Sequence, residues 1–490
     1  MTDSGSDSQL TPMPRRLQVP LVGQLPGSTV LWRSAEEGWS APPLHLPSPL
    51  LILRVNPVEG SVVQTPEGDV VARHEDPAFM PFRWIQEILA TLSDSARGTE
   101  RRLFQAPVFP LAIVCAAYEY GRYFHPHEHC FPHAPQNDID DLFVSFHCTG
   151  FVRKDERWSL VGRPPRAGTQ WKGWEVPRRM AEWPPPPAFS IASSSSVVPL
   201  PDFSGTEIEP VPAMSSDSYH GAIAAIHRHL RAGDIYQANM TLRFEGKTSA
   251  SADRIFAAGL RSGGDRFAAC MRTSNCTHVS FSPELLMRKW GRSICTKPVK
   301  GTRARSPFES DHEVEEELAT SAKDKAEHVM IVDLERNDLG RLCEYGTVRV
   351  DPMLSITRHP TLFHLESTVS GTLRASVDLR DVFSAIFPGG SVTGAPKRRA
   401  LEVIAALENR PRGIYCGALG WIDHRGDCEF NLPIRTATLH DDHRLHLYGG
   451  GGIVADSRAD DEWREIQHKI RFMREAVMKA TDPSTLPPRR

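Results

Sequence analysis

Apolar residues along this chain follow two rhythms, one near-continuous or alternating and one helical, and the switches between them predict the elements. Leu50-Leu51-Ile52-Leu53-Arg54-Val55 reads as a strand, and residues 82–92 repeat apolar positions at helical spacing. A further apolar segment covers residues 112–120. Tyr219, Ala222, Ile223, Ile226 and Leu230 recur at helical spacing, with Ser216 or Asp217 expected to cap that helix and Gly233 to stop it. Residues 414–422, 429–439 and 444–448 read as strands, separated by His424-Arg425-Gly426-Asp427 and by Asp441-Asp442. Connections that short join antiparallel neighbours, because a parallel crossover needs about a dozen residues or more. The pattern predicts an α+β fold built on a large antiparallel sheet with helices.

Composition divides the chain. Proline stands at 40 of 490 positions, about 8%, above the usual ~5%. Pro164-Pro165, the run 184–187 and the serines 193–196 cannot build a core. The expected organisation is a polar tail over residues 1–28, a companion domain over 29–162, a Pro/Ser-rich linker over 163–212, the main domain over 213–480 and a tail over 481–490. Lys+Arg of 57 against Asp+Glu of 60 leaves a net charge of −3, which offers no broad electrostatic footprint for nucleic acid. The first ten residues are polar and acidic, unlike a secretory signal, and no apolar run approaches the ~20 residues that span a bilayer. Nine cysteines without a CxxC pair read as scattered thiols of a reducing compartment. A cytoplasmic location is expected.

Three clusters carry candidate chemistry. In the first, residues 285–289 and 293–298 are short strand candidates. A two-residue Gly291-Arg292 turn would place Glu284 opposite Val299, one position from Lys300, give or take a slip in register. That proximity is either a general acid beside a nucleophilic lysine or an ion pair at a sheet rim. In the second, Asp324 and Glu327 share one helix face, and Glu462, Glu465 and Lys469 share another, beside the stripe Trp463, Ile466, Ile470, Met473 and Val477. Carboxylate pairs on two core-docked helices could converge on Mg²⁺, or be solvated acidic faces with Asp460 and Asp461 as caps. In the third, residues 391–397 resemble a helix start that offers hydroxyls and backbone N–H groups to an anion. There Arg435 alternates away from Phe430, Leu432 and Ile434, and Gly449 to Gly452 permit close approach to backbone amides. No phosphate-binding GxxxxGK[ST] is present. His125, His127, His129, Cys130 and His133 are either transition-metal ligands or, since Pro126 and Pro132 break helical spacing, a solvated loop.

The order of the short motifs is more specific than any one of them. Gly233-Asp234-Ile235-Tyr236-Gln237-Ala238-Asn239, Ser282-Pro283-Glu284, Pro298-Val299-Lys300-Gly301-Thr302-Arg303, the stretch 330–341, the stretch 391–397 and Gly452-Ile453-Val454-Ala455-Asp456-Ser457 follow one another. In that order the chain resembles the chorismate-utilising enzymes, strongly over residues 216–480 and weakly before them. The resemblance implies the anthranilate-synthase-like fold, two large and mainly antiparallel sheets packed between helices. It implies Lys300 and Glu284 as catalytic groups, and Mg²⁺ held by Glu327 and Glu462 with Asp324 and Glu465 nearby. It also implies a substrate pocket lined by Thr302, His364, Ser391, Thr393, Gly394, Tyr415, Arg435, Gly451, Gly452 and Lys469. Within the pocket Tyr415, Arg435 and the Gly452 amide would hold the side-chain carboxylate.

Two positions sort the family's members. Isochorismate and salicylate synthases carry a water-activating lysine where this chain has Gln237, which points to ammonia as the nucleophile. Anthranilate synthases usually have alanine where this chain has Lys300, and the lysine marks aminodeoxychorismate synthase component I, of the para-aminobenzoate branch of folate synthesis. Lys300 must be partly neutral, with Mg²⁺ or Arg303 expected to lower its pKa, while Glu284 needs the opposite shift. No Gly-x-Cys-x-Gly elbow of a fused glutaminase occurs, so a separate glutamine amidotransferase subunit is the expected ammonia donor. Anthranilate synthase component I, and a non-catalytic chorismate-binding protein, stay open as alternatives. Leu31-Trp32-Arg33-Ser34 is only faintly similar to the family's tryptophan-site motif, which leaves an effector pocket undecided.

Overall fold

The apolar run at residues 50–55 is continuous because both faces of its strand are covered. Leu51, Leu53 and Val55 join a core shared with helices, while Ile52 points the other way into a core between two sheets. Leu111–Ala116 behaves alike, with Ala112, Val114 and Ala116 on the helix side and Leu111, Ile113 and Cys115 between the sheets. The computed structural model describes residues 29–481 apart from 34–43, 47–48, 57–58, 75–79, 96–108, 110, 126–129, 132–139, 155–156, 163–167, 173, 176–206, 265, 306–309, 360–361 and 409.

The strands form two eleven-stranded antiparallel sheets. The first runs, in space, Ile208–Pro212, Gln237–Lys247, Arg444–Ile453, Thr436–His440, Cys276–Ser282, Phe267–Arg272, Thr29–Arg33, Leu44–Leu46, Thr149–Lys154 and Arg157–Gly162, with Gly394–Ala395 added beside Gln237–Lys247. The second runs Arg349–Val350, Val369–Thr372, Ser293–Lys297, Leu285–Trp290, Cys428–Asn431, Ala418–Asp423, Leu111–Ala116, Leu142–His147, Leu51–Asn56, Gly60–Gln64 and Val70–His74. A small sheet of Val299–Ala304, Leu362–Glu366 and Ser355–Arg358 stands beside them.

Helices cover the outer faces. They are α1 (Met80–Ser95), α2 (Ser216–Ala232), α3 (Ala252–Arg261), α4 (Asp311–Thr320), α5 (Ala322–Gly340), α6 (Leu379–Ile386), α7 (Lys397–Leu407) and α8 (Ala459–Thr481). The stripes of α2, α3 and α8, including Ile223, Phe256, Ile466 and Met473, pack on Met240, Leu242 and Leu447 of the first sheet. Trp84, Ile88 and Phe383 of α1 and α6 pack on the second sheet. Ala269 and Met271 of one sheet meet Ile113, Phe143 and Trp421 of the other. The result is the expected α+β architecture, two sheets between helical layers. Among the described residues no helix is long and apolar enough to cross a membrane.

Several local expectations change. Ser215, not Ser216 or Asp217, caps α2, its side chain accepting the Ser218 N–H, and Gly233 ends the helix at φ 75°. Residues 414–417 precede the strand Ala418–Asp423 and are not part of it. The expected strand at 429–439 is two strands, Cys428–Asn431 in the second sheet and Thr436–His440 in the first. Pro433 cannot donate to a ladder and Arg435 has φ 52°, so the chain leaves one sheet and enters the other between them. Arg435 therefore stands at a crossing, and alternation along a strand does not describe it. The strand predicted over 444–448 continues through the glycines to Ile453. The linker's last residues, Ile208–Pro212, pair with Gln237–Lys247. The sequence division into companion and main segments is not a division of the sheets, for Leu111–Ala116 pairs with Ala418–Asp423 and Thr29–Arg33 with Phe267–Arg272. Residues 1–28, 482–490 and most of the linker lie outside the described residues, as do the side chains of residues 31–34.

Candidate functional site

The Gly291-Arg292 turn forms as expected: Trp290 pairs with Ser293 and Arg288 with Cys295, before a bulge shifts Leu285 onto Lys297. This brings Glu284, at the foot of the hairpin, within reach of the Val299 N–H, which its carboxylate accepts. Beyond it, Lys300 pairs with Leu365 and Thr302 with His364, so Gly301 is an extra residue in its strand. Gly301 has φ 76°, a conformation glycine adopts without strain, and the bulge re-aims Lys300.

Ser391 joins the two groups. Its hydroxyl donates to Glu284 Oε1 at 2.6 Å, and its carbonyl accepts Lys300 Nζ at 3.2 Å. Burial pushes the Glu284 carboxyl up to about 7, against the Ser391 hydroxyl, the Lys300 charge and the Val299 N–H, all of which favour the anion. Burial also pulls the Lys300 amine below its ordinary value, helped by the nearby Lys469 ammonium and opposed by Glu327, Glu284 and Glu465. Arg303, expected to depress Lys300, is instead tied to Glu317 at 2.7 Å and Asp324 at 2.9 Å. The result is an acid still partly protonated at neutral pH beside an amine more easily neutral than a solvated lysine.

A desolvated cation faces the same region. Burial alone draws the Arg435 guanidinium down to about 10, and no carboxylate of a described residue pairs with it. A buried arginine without a counter-charge is costly unless an anion arrives. Tyr415 is buried and stacked on Tyr448, ring centroids 5.2 Å apart at 12°. His364 is buried and held neutral, first by burial and then by the Arg435 charge, and its Nδ1 lies 2.9 Å from Thr302 Oγ1.

The residues of the stretch 391–397 do different work from a helix start. Residues 390–392 form a short turn, Gly394–Ala395 pairs with Gln237 and Ala238, and only Lys397 begins α7. The Thr393 hydroxyl donates to Gly389 O at 2.9 Å, so its proton holds the turn. Gly394, at φ 147°, would place a Cβ 2.1 Å from Gln237 O. In the glycine run, a Cβ on Gly451 would lie 2.9 Å from Glu462 Oε2, and one on Gly452 2.7 Å from Gln237 Nε2. These glycines let α8 and the Gln237 amide approach the strand.

The carboxylates on α5 and α8 converge only in part. Burial and the charges of Asp324 and Glu462 raise the Glu327 pKa, and burial and Glu465 raise that of Glu462. Glu462 accepts the Ser457 hydroxyl at 2.7 Å. Asp324 is bound to Arg303, and Glu465 to Lys469 at 2.7 Å, so these two are engaged. Lys469 also donates to Gly450 O at 2.9 Å. Among the described residues, no three His, Cys, Asp or Glu side chains are gathered closely enough to enclose a metal ion. Of the histidine cluster, His125 Nε2 lies 3.0 Å from Phe387 O and Cys130 is buried, while His127, His129 and His133 lie outside the described residues.

Sequence reasoning passed over four groups here. Arg266 donates to Pro283 O at 2.8 Å and pairs with Glu366, clamping the peptide before Glu284. Arg412, 1% exposed, binds Glu408, Val392 O and Asn239 O, tying the Ser391 turn to the first sheet. Gln237 stands out in the sequence only as a family marker, yet both polar atoms of its fully buried amide lack hydrogen-bond partners among the described residues. Glu335 stands in the quoted stretch 330–341, yet its burial beside the Ser391 turn had no signal beyond helical spacing from Glu327 and Ile331.

Known proteins resemble this chain both in sequence and in fold. The sequence model of the chorismate binding enzyme family matches residues 48–475. The chain is 35% identical over 285 residues to aminodeoxychorismate synthase component 1 of Bacillus subtilis, covering 57% of this chain and 60% of that protein. It is 40% identical over 260 residues to anthranilate synthase component 1 of Streptomyces coelicolor, covering 53% of this chain and 51% of that protein. The chain thus spans only about half to three-fifths of the length of these curated relatives. Its fold is similar to the crystal structure of anthranilate synthase component I from Streptococcus pneumoniae, with TM-score 0.67, 20% identity, and 96% and 95% of the two chains covered.

Proposed function

The chain belongs to the chorismate-binding enzyme family, and from that premise we propose that it aminates chorismate to 4-amino-4-deoxychorismate, as an aminodeoxychorismate synthase component I. The observation that carries this reading is the Glu284–Ser391–Lys300 arrangement, an acid and an amine joined by one residue, with Arg435 acting on His364 and without a carboxylate partner among the described residues. Arg435 and Tyr415 receive the side-chain carboxylate. Lys300 Nζ forms a bond to ring C2 as the C4–O bond breaks, and Glu284 gives its proton to the departing hydroxyl, which leaves as water. Ammonia then bonds to C4 and the C2–N bond breaks, returning the lysine. Two allylic displacements replace one direct substitution.

Glu327 and Glu462 suit a hard divalent cation: both are partly desolvated carboxylates with raised pKa values, the nearest cation that Glu327 meets is Lys323 at 3.9 Å, and Mg²⁺ commonly takes one or two carboxylates with waters. Bound there, Mg²⁺ would neutralise the ring carboxylate and draw electron density from the diene. Asp324 and Glu465 would steady this pair through Arg303 and Lys469. The ammonia is proposed to come from a separate glutamine amidotransferase subunit. The buried Gln237 amide, standing where a water-activating base would be needed, supports ammonia over water.

A second reading, anthranilate synthase component I, draws support from the 40% identity to the Streptomyces coelicolor protein. Lys300 weighs against it. The two separate on incubation with chorismate, Mg²⁺ and ammonia: aminodeoxychorismate is the expected main product, and fluorescent anthranilate as the main product overturns the assignment. No turnover, even with an amidotransferase partner, would favour the non-catalytic alternative. Lys469→Ala is expected to raise the KM for chorismate about tenfold, the scale of one charge-assisted hydrogen bond of ~1.5 kcal/mol, with a smaller change in kcat. Equal loss in kcat at unchanged KM would move Lys469 from binding to chemistry.

A further inference from the structure

Behind Glu284 lies a second carboxyl that the scheme above does not use. Glu335 stands two turns beyond Glu327 on α5, so the helix turns both toward the interior, with Ile331 between them. It is 9% exposed, and its Oε2 is buried without a hydrogen-bond partner among the described residues. Its Cγ lies 3.8 Å from where Gly390 would carry a Cβ, and the next residue, Ser391, is the one that donates to Glu284. Both carboxyls therefore pack against one turn. An ionised carboxylate could not be left there with an unpaired oxygen at small cost, whereas a protonated one could.

The surroundings agree. Asp338 and Lys397 form a buried ion pair at 2.7 Å, largely cancelling each other, and the Thr296 hydroxyl is beside Glu335. Burial, then the charges of Glu284 and Asp338, push Glu335 up to about 8. The cations facing Glu284 are Lys300 and Arg266. Two neighbouring carboxyls of this kind lose their protons as a pair, and the proton that remains after the first loss is distributed over both.

We propose that Glu335 is a positioning residue for Glu284, the two forming a coupled pair in which Glu335 holds a proton in reserve for the acid. The inference rests on the reading of Glu284 as that acid. Its consequence is that Glu284 stays protonated to higher pH than it would alone, because ionising one member opposes ionising the other.

The test is the pH dependence of kcat/KM for chorismate in Glu335→Gln, taken as the ratio to the unmodified protein so that the titration of ammonia cancels. The alkaline limb should move down by about half a pH unit, and the ratio should fall several-fold between pH 6 and pH 8. Glu335→Asp, which keeps a carboxyl, should restore most of the limb. A limb that Glu335→Gln leaves in place overturns the proposal. If Glu335→Gln does not fold, infrared titration of Glu284→Gln serves instead: the carboxylic-acid band of Glu335 should titrate at lower pH than the pair does in the unmodified protein, and an unmoved band also overturns it. Loss of turnover in Glu284→Gln with an unmoved limb in Glu335→Gln removes this inference alone, whereas full turnover in Glu284→Gln removes the functional reading beneath it.

Discussion

Lys300→Ala is expected to lower aminodeoxychorismate formation by about 10³-fold, the scale on which removing a reacting side chain acts. The amine is not a peripheral charge. Its strand bulges at Gly301 to aim it, the Ser391 carbonyl holds it at 3.2 Å, and burial with Lys469 nearby favours its neutral, nucleophilic form. Without it, ammonia must displace the C4 hydroxyl directly, the step that the covalent route divides in two. The variant should keep its fold, since Lys300 belongs to none of the hydrophobic core clusters and losing its amine removes a buried charge. In the unmodified protein incubated with chorismate and no ammonia, mass spectrometry should find chorismate less one water on the peptide containing Lys300. Full activity in the variant would sink the covalent mechanism.

Glu284→Gln is expected to cost about 10² to 10⁴-fold in kcat, the range for a general acid. A glutamine keeps the shape and the Ser391 contact but has no proton to give. The pH dependence follows from the sign of the shift. Glu284 is raised above the ordinary carboxylate range to about 7, so its acid form is complete below that and lost as pH rises through it. Turnover at constant free ammonia should therefore fall above neutrality, and that limb should vanish in Glu284→Gln. The same raised carboxyl opposes folding as it ionises: the stability it permits is present below the unfolded carboxylate pKa and is lost as pH rises through about 7. Thermal denaturation should accordingly find Glu284→Gln more stable than the unmodified protein at pH 8. A limb that persists unchanged in the variant would assign it to another group.

Much of this site was legible as local pattern. The hairpin before Lys300 follows from the Gly291-Arg292 turn and the flanking apolar residues, and it places Glu284 near Val299 within one residue of the expected register. The stripes of α2 and α8 follow from 3.6-residue spacing. Where reading along the chain failed, a distant partner had intervened. Residues 429–439 look like one strand because apolar and polar side chains alternate along them, but the two halves belong to different sheets, and Arg435 is left at the crossing without a counter-charge among the described residues. Arg303 looked able to depress Lys300, but the helices α4 and α5 supply Glu317 and Asp324 to neutralise it.

The sequence by itself determined the antiparallel class and most of the local elements, and it singled out Glu284 and Lys300 as the candidate reacting groups, because periodicity, turn chemistry and side-chain type act over a few residues. The tertiary structure alone decided that Ser391 would touch both Glu284 and Lys300, from 107 and 91 residues away, that Arg435 would lack a carboxylate partner among the described residues, and that Glu335 would be buried beside the Ser391 turn. Desolvation and charge coupling are properties of how segments far apart in the chain pack together, and no local pattern encodes them.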